Sequence, residues 1–202
     1  MFNERKTCLS CNSKKLSKVI DLGHHSFADR FLSKKNLDEK DPIYPLIVDV
    51  CKKCSFFQLR IKTKPYKRYG EIDYSYTSAN SKYSRNHWDN YFLQITKKYK
   101  NNIKKILEIG SNDGYLTNQF RKGYEPICVD ASPFMVKISR KKGLISENLI
   151  FNLKSSVYLK KKYSLQDLII ANNVFNHSDN PRNFLKGVKN LLTKNGVFIF
   201  EQ

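Results

Sequence analysis

At 202 residues and 40% hydrophobic content, the chain is long enough for one ordinary domain plus a small appendage, and its composition is that of a folded protein rather than a disordered one. No apolar run reaches the roughly 20 residues that cross a bilayer, and Met1 to Lys6 is not backed by an apolar signal segment, so a soluble, cytoplasmic protein without a membrane partner is expected. The formal charge of +19 could serve a polyanion, but lysine far outnumbers arginine, and runs such as Lys160-Lys161-Lys162 and Arg140-Lys141-Lys142 read as polar helix faces or turns. Charge alone therefore does not make nucleic acid the expected partner.

Two CxxC pairs, Cys8 with Cys11 and Cys51 with Cys54, stand near the N-terminus. A CxxC turn lets both sulfurs point at one ion, and Zn²⁺ takes four thiolates in a closed tetrahedron. A structural Cys₄ zinc site is expected, with metal binding coupled to folding of this segment. Ile47 to Val50 leads into the second pair and Phe56 to Leu59 leaves it, a pattern that predicts a hairpin carrying that pair. His24 and His25 read as solvated loop residues, and Cys128, inside an apolar strand, as core. Residues 1–70 form the expected zinc-binding domain.

Residues 71–101 are read as a linking loop and helix. The stretch Asp73 to Ser81 is dense in hydroxyls and aromatics, which suits a ligand wall as well as an ordinary surface loop. Ser81 is a good N-cap for a helix with Trp88, Tyr91, Phe92, Ile95 and Tyr99 on one face and His87 at its edge.

From residue 102 strands and helices alternate. The expected strands are Ile106 to Ile109, Pro126 to Asp130, Leu149 to Leu153, Asp167 to Ala171 and Val197 to Glu201. Helices fall between them, notably Tyr115 to Lys122 and Arg182 to Leu192, with Asn180 and Pro181 as cap and first-turn proline. This βα repeat predicts an α/β fold with a parallel sheet and right-handed crossovers.

In such sheets a ligand sits outside the carboxyl ends of the strands. Three polar strand ends meet there: the loop Glu108 to Gly114, Asp130, and Asn172-Asn173. Asp130 follows Asp113 by 17 residues, near the spacing at which an acidic side chain takes ribose hydroxyls, and the two loop glycines are expected to let the backbone approach the ligand. The loop is neither GxGxxG nor a Walker loop, which counts against NAD and nucleoside triphosphates.

An E-x-G-x-x-x-G loop followed by an acidic second-strand end resembles the class I, Rossmann-like methyltransferases, which bind S-adenosylmethionine. The wider pattern is more specific. Two N-terminal CxxC pairs, Asp29-Arg30-Phe31-Leu32, Tyr74-Ser75-Tyr76-Thr77-Ser78, Glu108-Ile109-Gly110-Ser111-Asn112-Asp113-Gly114, Ala171-Asn172-Asn173-Val174-Phe175-Asn176-His177 and Phe184 to Val188 resemble the nucleotide-sugar C-methyltransferases of branched deoxysugar synthesis. The resemblance runs from Cys8 to Glu201. It implies Zn²⁺ on Cys8, Cys11, Cys51 and Cys54, and S-adenosylmethionine held by Glu108, Gly110, Asn112, Asp113, Gly114, Asp130, Asn172 and Asn173. It also implies a nucleoside-diphosphate 4-keto-deoxy sugar as substrate, faced by the catalytic candidates Tyr76 and His177. Where that family commonly has a small residue before the histidine, this chain has Asn176. Against the family pattern, residues 102–202 are expected to be a methyltransferase domain incomplete at its C-terminal edge, a fragment or half of a split enzyme whose partner is a separate chain. The alternatives are a zinc-containing RNA methyltransferase and a non-catalytic zinc and cofactor-binding remnant.

Overall fold

The computed structural model describes residues 2–28, 34, 37–38, 40–70 and 77–202. The chain divides into two compact units, Met1–Ser75 with Asp179–Arg182, and Tyr76–Ser178 with Asn183–Gln202.

In the first unit β2 (Leu16–His25), β3 (Tyr44–Cys51) and β4 (Phe57–Leu59) form an antiparallel sheet in the order β2-β3-β4, and β1 (Asn3–Glu4) pairs with β5 (Ile61–Lys62). The expected hairpin is present: β3 ends on Cys51, β4 starts at Phe57, and Val50 lies opposite Phe57, so the second CxxC pair forms the turn. His24 and His25 lie on β2 rather than in a loop, because that strand runs on to pair them with Pro45 and Tyr44. The buried carboxylate of Asp49 on β3 is held in bidentate fashion by Arg60, at 2.6 and 3.0 Å. A short helix, α1 (Pro65–Tyr69), follows.

The second unit opens with α2 (Lys82–Tyr99), whose N-cap Ser81 accepts the N–H of Ser84, and continues as β6 (Lys105–Ile109), α3 (Tyr115–Gln119), β7 (Glu125–Asp130), α4 (Pro133–Lys141), β8 (Ile145–Asn148), α5 (Leu153–Tyr163), β9 (Gln166–Ile170), α6 (Pro181–Leu191) and β10 (Leu192–Ile199). The five strands are parallel in the order β10-β9-β6-β7-β8. Alternation along the strands supplies both faces. Leu107, Ile109, Ile169 and Ala171 join a core closed by Leu159, Phe184, Val188 and Leu191, while Ile106, Leu168 and Ile170 pack with Ile95, Leu116 and Phe120. The apolar stripe of α2, with Trp88, Tyr91, Phe92 and Tyr99, covers the second of these cores.

One strand lies elsewhere than expected. The run from Leu149 to Leu153 is not a strand; β8 forms a few residues earlier, immediately after a Gly143 turn at positive φ. Phe151 is spent on the core and Asn152 becomes the N-cap of α5 in a capping box with Ser155, so a short apolar run served packing and helix entry rather than pairing. No helix among the described residues is long and apolar enough to cross a membrane.

Candidate metal centre and cofactor cleft

The four N-terminal cysteines converge. Their sulfurs lie within 4.8 Å of one another, with Cys8 to Cys54 and Cys11 to Cys51 both at 3.6 Å. A tetrahedron of Zn–S bonds has S···S edges of about 3.8 Å, so the cluster is of zinc size. Each CxxC turn closes in the same way: Asn12 N–H donates to the Cys8 carbonyl and Ser55 N–H to that of Cys51, with Asn12 and Ser55 both at positive φ. Gln58 on β4 fixes the first turn, accepting from Leu9 N–H at 2.8 Å and donating to the Thr7 carbonyl. The donor set leaves no open position for water, and the metal's role is structural. Cys128 is a buried thiol in β7, as expected of a core residue.

In the second unit the strand order reverses between β6 and β9, and the candidate cleft lies at the carboxyl ends of those strands. The loop after β6 is a cage of short hydrogen bonds. Asn112, at φ 52°, donates its N–H to Asp130 Oδ2 at 2.8 Å, while Ser132 N–H donates to Asp130 Oδ1 at 2.8 Å. Burial raises the Asp130 pKa against the pull of the Ser132, Asn112 and Ala131 N–H groups. With three N–H donors on about four lone-pair sites, the carboxylate keeps room for one further donor.

Asn112 and Asp113 face inward to their own protein. Asn112 Oδ1 accepts Ser78 N–H at 3.0 Å; Asp113 Oδ1 accepts Ser78 Oγ–H at 2.6 Å and Oδ2 accepts Lys142 Nζ at 2.9 Å. The loop glycines do the same. A Cβ on Gly110 would lie 2.0 Å from Val174 Cγ2, and one on Gly114 would lie 2.5 Å from Leu144 Cδ1, so the space they leave is filled by side chains of the fold. Close packing against Val174 and Leu144, together with φ of 69° and 75°, requires glycine at these positions. Glu108 is buried and accepts from Thr117 on α3 through its hydroxyl.

Across the cleft, Asn172 is 8% exposed; its Oδ1 accepts Tyr91 O–H at 3.0 Å, which leaves Nδ2 as a buried donor without a partner. That orphan donor is what a polar ligand would satisfy. Asn173, at φ 53°, donates its N–H to the Glu201 carbonyl at 2.7 Å, and Glu201 Oε2 lies 3.0 Å from His87 Nε2 on α2. His177 is exposed on a 3-10 turn, Phe175–His177. Tyr76 and the Asp29 to Leu32 segment lie outside the described residues. Sequence reading missed Ser78, Lys142 and Glu201 as parts of this site. Ser78 lay in the hydroxyl-rich stretch, Lys142 was counted with a charge run, and the roles of both depend on contacts distant in sequence.

Residues 107–198 match a family model described as "Methyltransferase domain". The second unit is similar to a methyltransferase domain. Residues 8–69 match one described as "Putative zinc binding domain", in keeping with the four-cysteine cluster. The chain is similar to the C-methyltransferase NovU of Streptomyces niveus, 23% identical over 197 residues that cover 96% of this chain and 46% of NovU. It is also similar to a malonyl-acyl-carrier-protein O-methyltransferase of Halalkalibacterium halodurans, 28% identical over 107 residues covering 50% of this chain and 40% of the relative. The chain thus spans less than half the length of either curated relative. Among solved structures, the PH0226 protein of Pyrococcus horikoshii aligns with a TM-score of 0.49 at 18% identity, over 62% of this chain and 57% of its own. The plantazolicin methyltransferase BpumL, solved with a desmethylPZN analogue and SAH, aligns with a TM-score of 0.48 at 14% identity over 60% and 48%.

The second unit carries a buried acid, Glu108, whose titration can be read in stability. Burial pushes Glu108 up to about 8 against the hydrogen bonds from Thr117. The folded state then holds a proton that the unfolded state releases near the ordinary Glu value of about 4.3, so Glu108 costs stability as pH rises between those values and nothing further above them. In urea unfolding, Glu108→Gln is expected to gain on the wild type from about pH 5.5 and to level off as pH passes about 8. A constant difference between the two proteins would show that Glu108 is ionised throughout.

Proposed function

We propose that this sequence belongs to an S-adenosylmethionine-dependent C-methyltransferase acting on a nucleoside-diphosphate 4-keto-deoxy sugar, in which residues 1–70 are the zinc domain, 71–101 a linking loop and helix, and 102–202 cofactor-binding. The observation that carries the cofactor reading is the cleft between β6 and β9, with the Asp130 carboxylate on one side and the unpartnered Nδ2 of Asn172 on the other. The C-methyl part draws support from the similarity to NovU, a C-methyltransferase, over 96% of this chain, and the sugar part from the motif order along the chain.

When bound, S-adenosylmethionine supplies a methyl group on a positively charged sulfur. The remaining work falls to the chain. Asp130 receives a ribose hydroxyl at the lone-pair site that the three N–H donors leave free. Ser78 and Lys142 keep the Asn112-Asp113 turn rigid, so the main chain there presents one geometry to the ligand. Tyr91 holds the Asn172 amide with its NH₂ turned away from the phenol, ready to donate to the ligand. A ketone acidifies its neighbouring C–H, so a base would take that proton and the resulting carbon nucleophile would accept the methyl group that bound S-adenosylmethionine would supply, with S-adenosylhomocysteine leaving as the C–S bond breaks. His177 and Tyr76 are the groups assigned to the sugar, His177 holding a proton at an imidazole nitrogen against the keto oxygen.

The test is transfer of a ¹³C-labelled methyl from S-adenosylmethionine to a nucleoside-diphosphate 4-keto-6-deoxy sugar, with RNA as a parallel acceptor. A carbon-bound methyl resonance on the sugar is expected. Label in RNA, or a methyl on oxygen or nitrogen, would replace this reading with another.

A further inference from the structure

The first unit contains a second polar cluster, separate from the zinc centre. Asp179 is held by two arginines. Arg5 Nη1 donates to its carbonyl at 3.1 Å and Nη2 to Oδ1 at 3.0 Å, while Arg68 Nη2 donates to Oδ2 at 3.0 Å. The side chains are 12%, 21% and 15% exposed for Arg5, Arg68 and Asp179. One carboxylate against two guanidiniums leaves a net positive charge that is largely out of water. Burial lowers the Arg5 pKa, Asp179 restores part of it, and the charge of Arg68 lowers it further, so the two cations oppose each other across one anion. In addition, Nε–H of Arg5 and Nε–H of Arg68 are both buried and lack an acceptor.

A structural ion pair has no need of the second arginine. Two uncompensated, desolvated donors on planar forks are costly to leave unmade, and they match what an oxyanion supplies: an extra negative charge and acceptor oxygens that a guanidinium can take along its Nε edge. We propose that Arg5 and Arg68, spaced by Asp179, form a binding site for a phosphate-type oxyanion, taken up through the two Nε–H donors. Assigning that oxyanion to the diphosphate of a nucleotide-linked substrate rests on the function proposed above; the anion site itself does not.

The experiment is calorimetric titration of the zinc-loaded chain with inorganic pyrophosphate, and separately with uridine and thymidine diphosphates, at low salt and without S-adenosylmethionine. Saturable binding of one pyrophosphate is expected. Arg5→Lys and Arg68→Lys keep the charge and a partner for Asp179 but delete the Nε donor, and each is expected to weaken binding at least about tenfold. Thermal unfolding of each variant, unchanged from the wild type, shows that the fold is kept. Lys160→Gln, on α5 of the second unit, is the charge control and should leave affinity unchanged. Pyrophosphate affinity equal in the wild type and both lysine variants, or no saturable binding, overturns the site and leaves the triad as a structural clamp. Pyrophosphate bound through the arginines with neither nucleoside diphosphate bound at all upholds the site and counts against the nucleotide-sugar reading.

Discussion

Stripping Zn²⁺ from the protein is expected to unfold the first unit and leave the parallel sheet of the second in place. Among the described residues, the fully buried apolar side chains of the first unit are Cys8, Tyr44, Cys51 and Ile61, two of which are sulfur ligands. Val19, Ile20, Leu22, Phe57 and Leu59 of its sheet are all exposed. A unit with so little apolar burial cannot offset the entropy of ordering its chain, and the metal supplies what is missing. Structural zinc contributes on the order of 10–16 kcal/mol of apparent binding energy, as much as the whole stability of an ordinary domain. Hydrogen exchange after chelation should show amide protection lost at Asn12, Ser55 and along β3 while β6, β7 and β9 stay protected, with one equivalent of Zn²⁺ restoring it. Cys51→Ser should behave as the chelated protein and Cys128→Ser should bind zinc as the wild type does. Retained protection at Asn12 and Ser55 without metal would mean that the unit folds without it.

Gly110→Ala is expected to be the most damaging single substitution in the second unit. Its Cβ would meet Val174 Cγ2 at 2.0 Å, and φ is 69°. The left-handed conformation costs a non-glycine residue roughly 1–2 kcal/mol, and overpacking adds roughly 1–3 kcal/mol. The sum, roughly 2–5 kcal/mol, runs from under half to all of the stability of a small domain at the lower end of the usual range of about 5–15 kcal/mol. The double variant Gly110→Ala/Val174→Ala separates the two causes, because it removes the clash and keeps the strain. Urea unfolding should show partial recovery in the double variant relative to the sum of the single ones. Exact additivity would place the damage in the backbone alone.

Much of this was legible because the deciding signals are local. The CxxC spacing, the Ser81 cap, the apolar stripe of α2 and the strands at 106–109 and 126–130 each follow from neighbours within a few residues. The misplaced strand at Leu149 to Leu153 shows the limit. A short apolar run does not say whether it will pair, cap a helix or plug a core, and here the parallel register of β7 with Ile145 to Asn148 decided it. Site residues divide in the same way. The sequence marked Asp130 and Asn172 as polar strand ends, and they stand at the carboxyl ends of β7 and β9. It also marked Gly110, Asn112, Asp113 and Gly114 as cofactor-binding; what it did not show is that they also pack against Val174, Ser78, Lys142 and Leu144. Those partners are 30 or more residues away in most cases, and no local pattern records them. The pairing of Glu201 with His87 is of the same kind.

The measurement that bears most directly on the cofactor cleft is calorimetric titration of the zinc-loaded protein with S-adenosylmethionine. One molecule should bind per chain. Asp130→Asn removes the charge offered to the ribose and keeps an acceptor oxygen for only one of the N–H groups of Asn112 and Ser132, which go to different carboxylate oxygens; with its fold checked by urea unfolding, it should weaken binding by about 1.5–3 kcal/mol, roughly ten- to a hundredfold. Absence of binding to the folded protein, or equal affinity in Asp130→Asn, would contradict the assignment.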